Sequence, residues 1–351
     1  MLCQLGYTTG LFLVTPLGDA LEKRRLVTVL LVLCGLALLC TASAPSFFLL
    51  LVSSYFVGIT AVVVQILIPF VAVLSHPSER SKNLGLVLSG ALIGILLSRT
   101  FSGFLGAHFG WRASYWAGSA LMFGQAAILA RMLPSHQSST RCRYHQLLHS
   151  MWKLTRDTPE LRRVAANGAL MYASLSAFWA TLAFYLQSPT YHLGPEVVGL
   201  FGLVGAGGAM MAPIMGRYVD RLGPRWVVQM CIVCMVLAWL VLALAGSWMI
   251  GLVLGVILLD LGAQSATVSN QTQIYRFHPE AQTRINTIYK MFYFTGGAIG
   301  TELAAAAWQH FGWIGVCLLG VLLLAGARAV LITQPARRPV SSEKKTSLRV
   351  A

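Results

Sequence analysis

The chain has 351 residues, of which 56% are hydrophobic and 11% charged; a soluble domain carries about 25% charged residues. That balance excludes an ordinary soluble enzyme and makes lipid the main solvent. The net charge of +15 would suggest nucleic acid in a soluble domain. Here the basic residues sit in short clusters between apolar runs, and no soluble segment is long enough to form a reader domain.

Eleven apolar runs predict membrane-spanning helices over about 2–17, 26–43, 46–74, 84–107, 112–133, 166–187, 196–215, 226–245, 248–275, 285–308 and 311–333. A run of about 20 residues crosses roughly 30 Å of hydrocarbon as helix. A helix also satisfies its own backbone hydrogen bonds where no water can. The third run is long and polar at its end, which predicts a stretch beyond the bilayer.

The loops alternate in charge. One set carries Lys23, Arg24 and Arg25, then Arg80 and Lys82, then Arg131, Arg141, Arg143, Lys153, Arg156, Arg162 and Arg163. It continues with Arg217, Arg221 and Arg225, with Arg276 and Arg284, and with Arg337, Arg338, Lys344, Lys345 and Arg349, making 22 of the 26 basic residues. The other set (Thr41–Pro45, His192 with Glu196, Gly246–Ser247, Gln309–His310) is nearly bare, Arg112 being its one basic residue. The positive-inside rule puts the first set, the 134–165 linker and the 334–351 tail in the cytoplasm, with Met1 outside. Within the linker, Leu147, Leu148, Met151 and Leu154 recur at helical spacing beside Arg141, Arg143, Lys153 and Arg156. This suits either a helix lying on the cytoplasmic leaflet or a solvated linker. Of seven cysteines, Cys231 and Cys234 form a CxxC inside an apolar run, where small-residue packing explains the spacing better than a metal or redox role.

Polar residues inside the runs are the candidate pathway. Gln65 lies on the third span, Arg99 in the outer half of the fourth and Glu302 in the outer half of the tenth. On the ninth, Asp260, Gln264, Thr267 and Gln271 recur at i, i+4, i+7 and i+11, within about 60° of one helix face. A charge at the midplane costs about 2.5–3.5 kcal/mol on insertion scales, so Asp260 is expected to face a cavity or a partner. It could serve as a pathway or proton group, or as a structural hydrogen-bond hub. Arg99 could equally lock two helices, and Glu302 could sit in outer water. Lys290 and Arg328 are placed to snorkel. Gly90, Gly94, Ser98, Ser102 and Gly106 form one small-residue seam, and Gly296, Gly300 and Ala304 form another; such seams allow close helix approach.

An internal repeat organises the chain. His76-Pro77 recurs as His278-Pro279, and His108-Phe109-Gly110-Trp111 as His310-Phe311-Gly312-Trp313, both at an offset of 202; Asp19 recurs as Asp220 at 201. The chain therefore reads as two homologous halves, 1–133 and 166–333, joined by 134–165. Parallel repeats of this kind build one class of secondary transporter, with the substrate site between the halves. By the same comparison the first half is expected to lack one helix, its first.

Residues 216–225, with Gly216, Asp220, Arg221, Gly223 and Arg225, resemble the signature between the second and third helices of a half in the major facilitator superfamily. The first-half copy keeps Asp19, Lys23, Arg24 and Arg25 but has Ala20 and Glu22 where the pattern has Arg and Gly. The stretch from Asp260 through Asn270 to Arg284 is similar to the drug:proton antiporter-like branch of multidrug and sugar efflux proteins. The resemblance implies an all-α membrane fold of two six-helix repeats, here with eleven helices. It implies a monomer in a bacterial inner membrane. It also implies proton-coupled efflux of a small molecule, gating by the signature aspartates, and rocking of the two halves at the fourth and tenth spans. No P-loop, HExxH or clustered His/Asp site points to ATP drive or to an enzyme, and no cofactor or metal is implied. The competing expectation is a truncated product that inserts but does not transport.

Overall fold

The computed structural model describes residues 1–76, 79–134, 144–210, 223–275, 277 and 282–333, and these are helical, with no strand among them. The first half contains α1 (Leu2–Leu13), the short α2 (Leu17–Ala20), α3 (Lys23–Ala42), α4 (Phe47–Thr60), α5 (Val63–Leu74), α6 (Arg80–Phe109) and α7 (Trp111–Met132). Then follow α8 (Tyr144–Asp157), α9 (Pro159–Gln187), α10 (Pro195–Met210), α11 (Pro224–Ala245), α12 (Met249–Tyr275) and α13 (Gln282–Ile332). Six stretches are long and apolar enough to cross a membrane by themselves. With α1, α6, α7 and α10 they supply the eleven spans, because α4 and α5 make one span and α13 makes two.

The third span departs from one straight rod. Ala61 and Val62 leave helical geometry, with ψ near 0°, and separate α4 from α5. The bend lies between the two helices of this span. α9 begins earlier than expected, with Pro159 at its first turn, where the missing N–H is harmless, and Glu160 beside it. The linker is correspondingly shorter. Most of it is α8, whose Leu147, Leu148 and Leu154 turn inward around Met151, itself 3% exposed. Met151 packs with Leu161, Val164, Ile285 and Ile288. α8 ties both halves together: Tyr144 donates to Leu13 O at 2.7 Å, and Arg284 Nη1 donates to Ser150 Oγ at 3.0 Å.

Many outward-facing side chains are large and apolar, among them Phe48, Leu244, Trp248 and Phe311, as a lipid-facing surface requires. Inside, hydroxyls and amides bond across helices. Ser119 Oγ donates to Gly35 O at 2.9 Å, Asn167 Nδ2 to Ala327 O at 2.8 Å, and Trp239 Nε1 to Ser174 Oγ at 2.7 Å. Such bonds, with close small-residue packing, hold helices where no hydrophobic force distinguishes protein from lipid.

The repeat is visible in the backbone. Gly110 has φ 80° and Gly312 φ 59°, so both copies of His-Phe-Gly-Trp break the helix at a left-handed residue. The pairings also repeat: α1 packs on α4 as α10 packs on α12, and α3 on α7 as α11 on α13. The halves meet where α1 contacts α13 and where α6 contacts α10. The seams differ. A Cβ on Gly296 or Gly300 would overlap the Ala169 or Ala173 carbonyl of α9, whereas Gly90, Gly94 and Gly106 of α6 have nothing within 4 Å. Trp313 is 8% exposed and Trp111 is 44% exposed. No described helix covers α6 as α9 covers α13.

Candidate functional site

Asp260 lies near the middle of α12 and is 6% exposed. It points inward, against Gly205 of α10: a Cβ there would stand 2.7 Å from Asp260 Oδ2 and 3.0 Å from the Trp179 ring. Asp260 Oδ2 and Trp179 Nε1 are both buried, close to each other, but neither is in hydrogen-bond geometry with any partner. One turn along α10, Gly202 lies against Arg99, whose Cβ would be 2.9 Å from an added Cβ. The Arg99 guanidinium carbon sits 3.7 Å from the Trp179 ring centroid, within cation–π range. It is near enough to Asp260 for the two charges to act on each other. The small residues of α10 thus let an arginine from the first half and a carboxylate from the second approach a common indole. Thr100 Oγ1, donating to Gly199 O at 3.3 Å, fixes α6 on α10 beside them.

Thr267 and Gln271, further along the α12 stripe, turn toward α13. Gln264, Thr267 and Gln271 are half-buried. Thr267 Oγ1 donates to Tyr293 OH at 3.3 Å, and Gln271 Nε2 to Asn286 Oδ1 at 3.4 Å. Tyr293 stacks on Tyr172 with centroids 3.9 Å apart, and Lys290 Nζ lies 4.9 Å from its ring centre. Gln65 joins this layer by donating to Tyr7 OH at 3.2 Å; the Tyr7 ring lies 4.4 Å from Phe294. Gln4 bridges the halves, donating to Ser176 Oγ at 3.2 Å and accepting from Thr301 Oγ1 at 3.4 Å. Glu302 stands apart: it is exposed, and it is not among the cavity's lining residues. Trp179, Tyr172, Tyr293 and Gln4 escaped the sequence reading, since an aromatic or a single amide in an apolar span carries no periodic signal.

A cavity of about 890 Å³ opens between the halves, lined by Ser98, Arg99, Trp111, Tyr115, Trp179 and Gln187 among others. Trp111 and Gln187 place its mouth at the end of the molecule whose loops are bare. At the basic end a small cavity of about 30 Å³ lies between Gly18, Lys23, Gln65, Met151 and Arg284. The described signature residues, among them Lys23 and Arg225, lie at this end. Gly216, Asp220, Arg221 and the side chain of Asp19 fall outside the described residues. Arg24 is half-buried and Arg25 exposed, and Lys23 Nζ lies 5.3 Å from the Phe70 ring centre. Gly223, with φ 85°, starts α11, and Arg225 Nη2 donates to Leu331 O at 3.1 Å, capping the end of α13. A guanidinium there satisfies a terminal carbonyl and meets the negative end of the helix dipole.

A two-fold helical repeat with a cleft between its halves is the architecture of a membrane transport protein. The chain belongs to the Major Facilitator Superfamily, whose family model matches residues 1–208 and 164–350. It is 39% identical over 320 residues to an uncharacterized transporter, YgaY, of Escherichia coli, covering 91% of this chain and 81% of that protein. It is 32% identical over 336 residues to a probable transporter of Streptomyces coelicolor, covering 95% and 78%. A probable sugar efflux transporter of Pasteurella multocida is 23% identical over 305 residues, covering 86% and 73%. The crystal structure of the human organic anion transporter MFSD10 matches in fold with a TM-score of 0.67, at 18% identity, over 94% of this chain and 83% of that one.

Proposed function

We propose that the chain is a proton-coupled secondary transporter in which Asp260 carries the proton and Arg99 is its counter-charge. The observation that carries this reading is that buried Asp260 of the second half and Arg99 of the first both come up to the Trp179 indole at the junction. A carboxylate in a dry site is tolerated when it is paired or protonated. Either change in its state alters the attraction between the halves, which links protonation to their rocking. The wide cavity at one end and the narrow one at the other fit one extreme of an alternating-access cycle. Loop charge supports a cytoplasmic basic end in a bacterial inner membrane. The Asp220 and Asp19 signatures would then act as cytoplasmic gates.

Proton-driven efflux, the direction expected of the antiporter-like branch, is the second reading; the similarity to the Pasteurella sugar efflux transporter favours that direction. The test of proton coupling is transport by purified protein in liposomes. Asp260→Asn should abolish uptake or extrusion driven by a pH gradient while leaving substrate exchange. If gradient-driven transport survives in well-inserted Asp260→Asn protein, the coupling assignment fails.

A further inference from the structure

The cavity between the halves has a definite charge character. Arg99 is the one charged side chain among its described lining residues, and no acid is among them. Asp260 is not a lining residue; it sits deeper, beside Trp179 and Gly205. Arg112 reinforces the sign at the mouth, its guanidinium carbon 4.4 Å from the centre of the lining Trp111 ring. Glu196, nearby at the first turn of α10, folds its carboxylate back over Gly194 and away from the cavity. Around Arg99 the walls supply hydroxyls from Ser98, Ser102, Ser114 and Tyr115 and flat apolar faces from Trp111 and Trp179. At about 890 Å³ the space lies within the roughly 300–1,000 Å³ usual for small-molecule sites.

Resting on the proton-coupled reading, we infer that the substrate is a small organic monoanion with an aromatic or apolar body, held at Arg99, and that it binds together with one proton taken by Asp260. A carboxylate entering the cavity meets the guanidinium first. Bidentate pairing with it draws the positive charge away from Asp260. The Asp260 carboxylate then has no counter-charge in a buried site and accepts a proton from the water of the cavity, becoming a neutral acid. Charge balances, one anion entering with one proton. The other titratable groups facing Asp260 do not replace Arg99: Tyr172 of α9 and Tyr293 of α13 are phenols near the pair. Cys231 and Cys234 of α11 lie behind, against Gly262 and the Leu258 carbonyl. An exchanger would require substrate and proton to compete for Asp260. This geometry makes them cooperate, so anion and proton travel in the same direction.

The test is calorimetric titration of the purified full chain in detergent with naphthoate, and with naphthylmethylammonium as the matched cation. Repeating it in buffers of different ionisation enthalpy reads the protons exchanged. Naphthoate should bind, the cation should not, and about one proton should be taken up per anion by the charge balance above. Arg99→Gln should weaken naphthoate about ten- to a hundredfold, and Arg99→Lys should recover part of that loss. Asp260→Asn should lose the proton uptake and the pH dependence of binding. Preference for the cation, or equal anion affinity in a folded Arg99→Gln protein, overturns the anion assignment and leaves proton coupling standing. Proton release on binding, or pH dependence that persists in Asp260→Asn, overturns the coupled step instead.

Discussion

Arg99 of the first half and Trp179 of the second are in cation–π contact, 3.7 Å from guanidinium carbon to ring centre, and Asp260 lies against the same indole. The contact holds α6 to α9 across the junction. A pair of this kind, lining an open cavity, is worth about 0.5–1 kcal/mol. A double-mutant cycle of Arg99→Gln and Trp179→Leu, read by thermal unfolding in detergent, should give a coupling of that size. Additive effects would mean that the two side chains touch without holding the halves.

The two small-residue seams should respond oppositely to the same substitution. Gly300→Ala drives a methyl into the Ala173 carbonyl of α9, and neither backbone has room to yield. Overpacking of this sort costs about 1–3 kcal/mol. Gly94→Ala meets nothing within 4 Å and should be neutral or slightly stabilising through helix propensity. Melting temperatures of the two variants compare them directly. Equal destabilisation would show that something covers the α6 seam in the folded protein.

Identical motifs need not have identical weight. Trp313 stacks on Tyr185 with centroids 3.9 Å apart and donates Nε1 to Leu242 O at 3.0 Å, whereas Trp111 is 44% exposed at the cavity wall. Trp313→Ala should cost about 3–5 kcal/mol, and Trp111→Ala should remain within about 0.5 kcal/mol, as exposed substitutions do. Chemical unfolding of each variant decides it. Comparable losses would mean that the two halves are packed alike at this end.

These contrasts mark what the sequence could and could not reveal. The offset of 202 announced the repeat, and the paired left-handed glycines Gly110 and Gly312 bear it out. The Asp260 stripe was legible because one helix face repeats every 3.6 residues; Asp260 turns toward α10, and Thr267 and Gln271 bond to α13. Arg99 and Asp260 were each conspicuous, but their meeting depends on how α6 docks on α10, which local pattern does not encode. Glu302 takes the other of its two expected places, toward the outside. It sits two residues after Gly300, about 200° around the helix, so once Gly300 packs on α9, Glu302 must turn outward. The bend at Ala61 and Val62 was hidden because an apolar run reads the same with or without it.

Topology follows from loop charge. Reporter fusions at Gly246, between α11 and α12, and at Ser341, in the basic tail, are expected in opposite compartments, with Ser341 cytoplasmic. A shared compartment would sink the helix count of the second half.

A last prediction tests the site without touching its charges. Gly205 lets Asp260 sit where it does: a Cβ at that position would lie 2.7 Å from Asp260 Oδ2, closer than a carbon and a carboxylate oxygen tolerate. The obstructed atom is the free end of a side chain, so the fold can relieve the clash by rotating the carboxylate. Gly205→Ala should therefore cost little stability and displace Asp260 from Trp179 and Arg99. A displacement of about 1 Å at a reacting group lowers rates on the order of a hundredfold. Gly202→Ala presses on Cβ and Cδ of Arg99, nearer its backbone, and should disturb both stability and transport. The measurement is gradient-driven transport in liposomes beside melting temperature for each variant. If Gly205→Ala transports normally, the position of the carboxylate does not matter, and Asp260 is a packing group instead of the proton carrier.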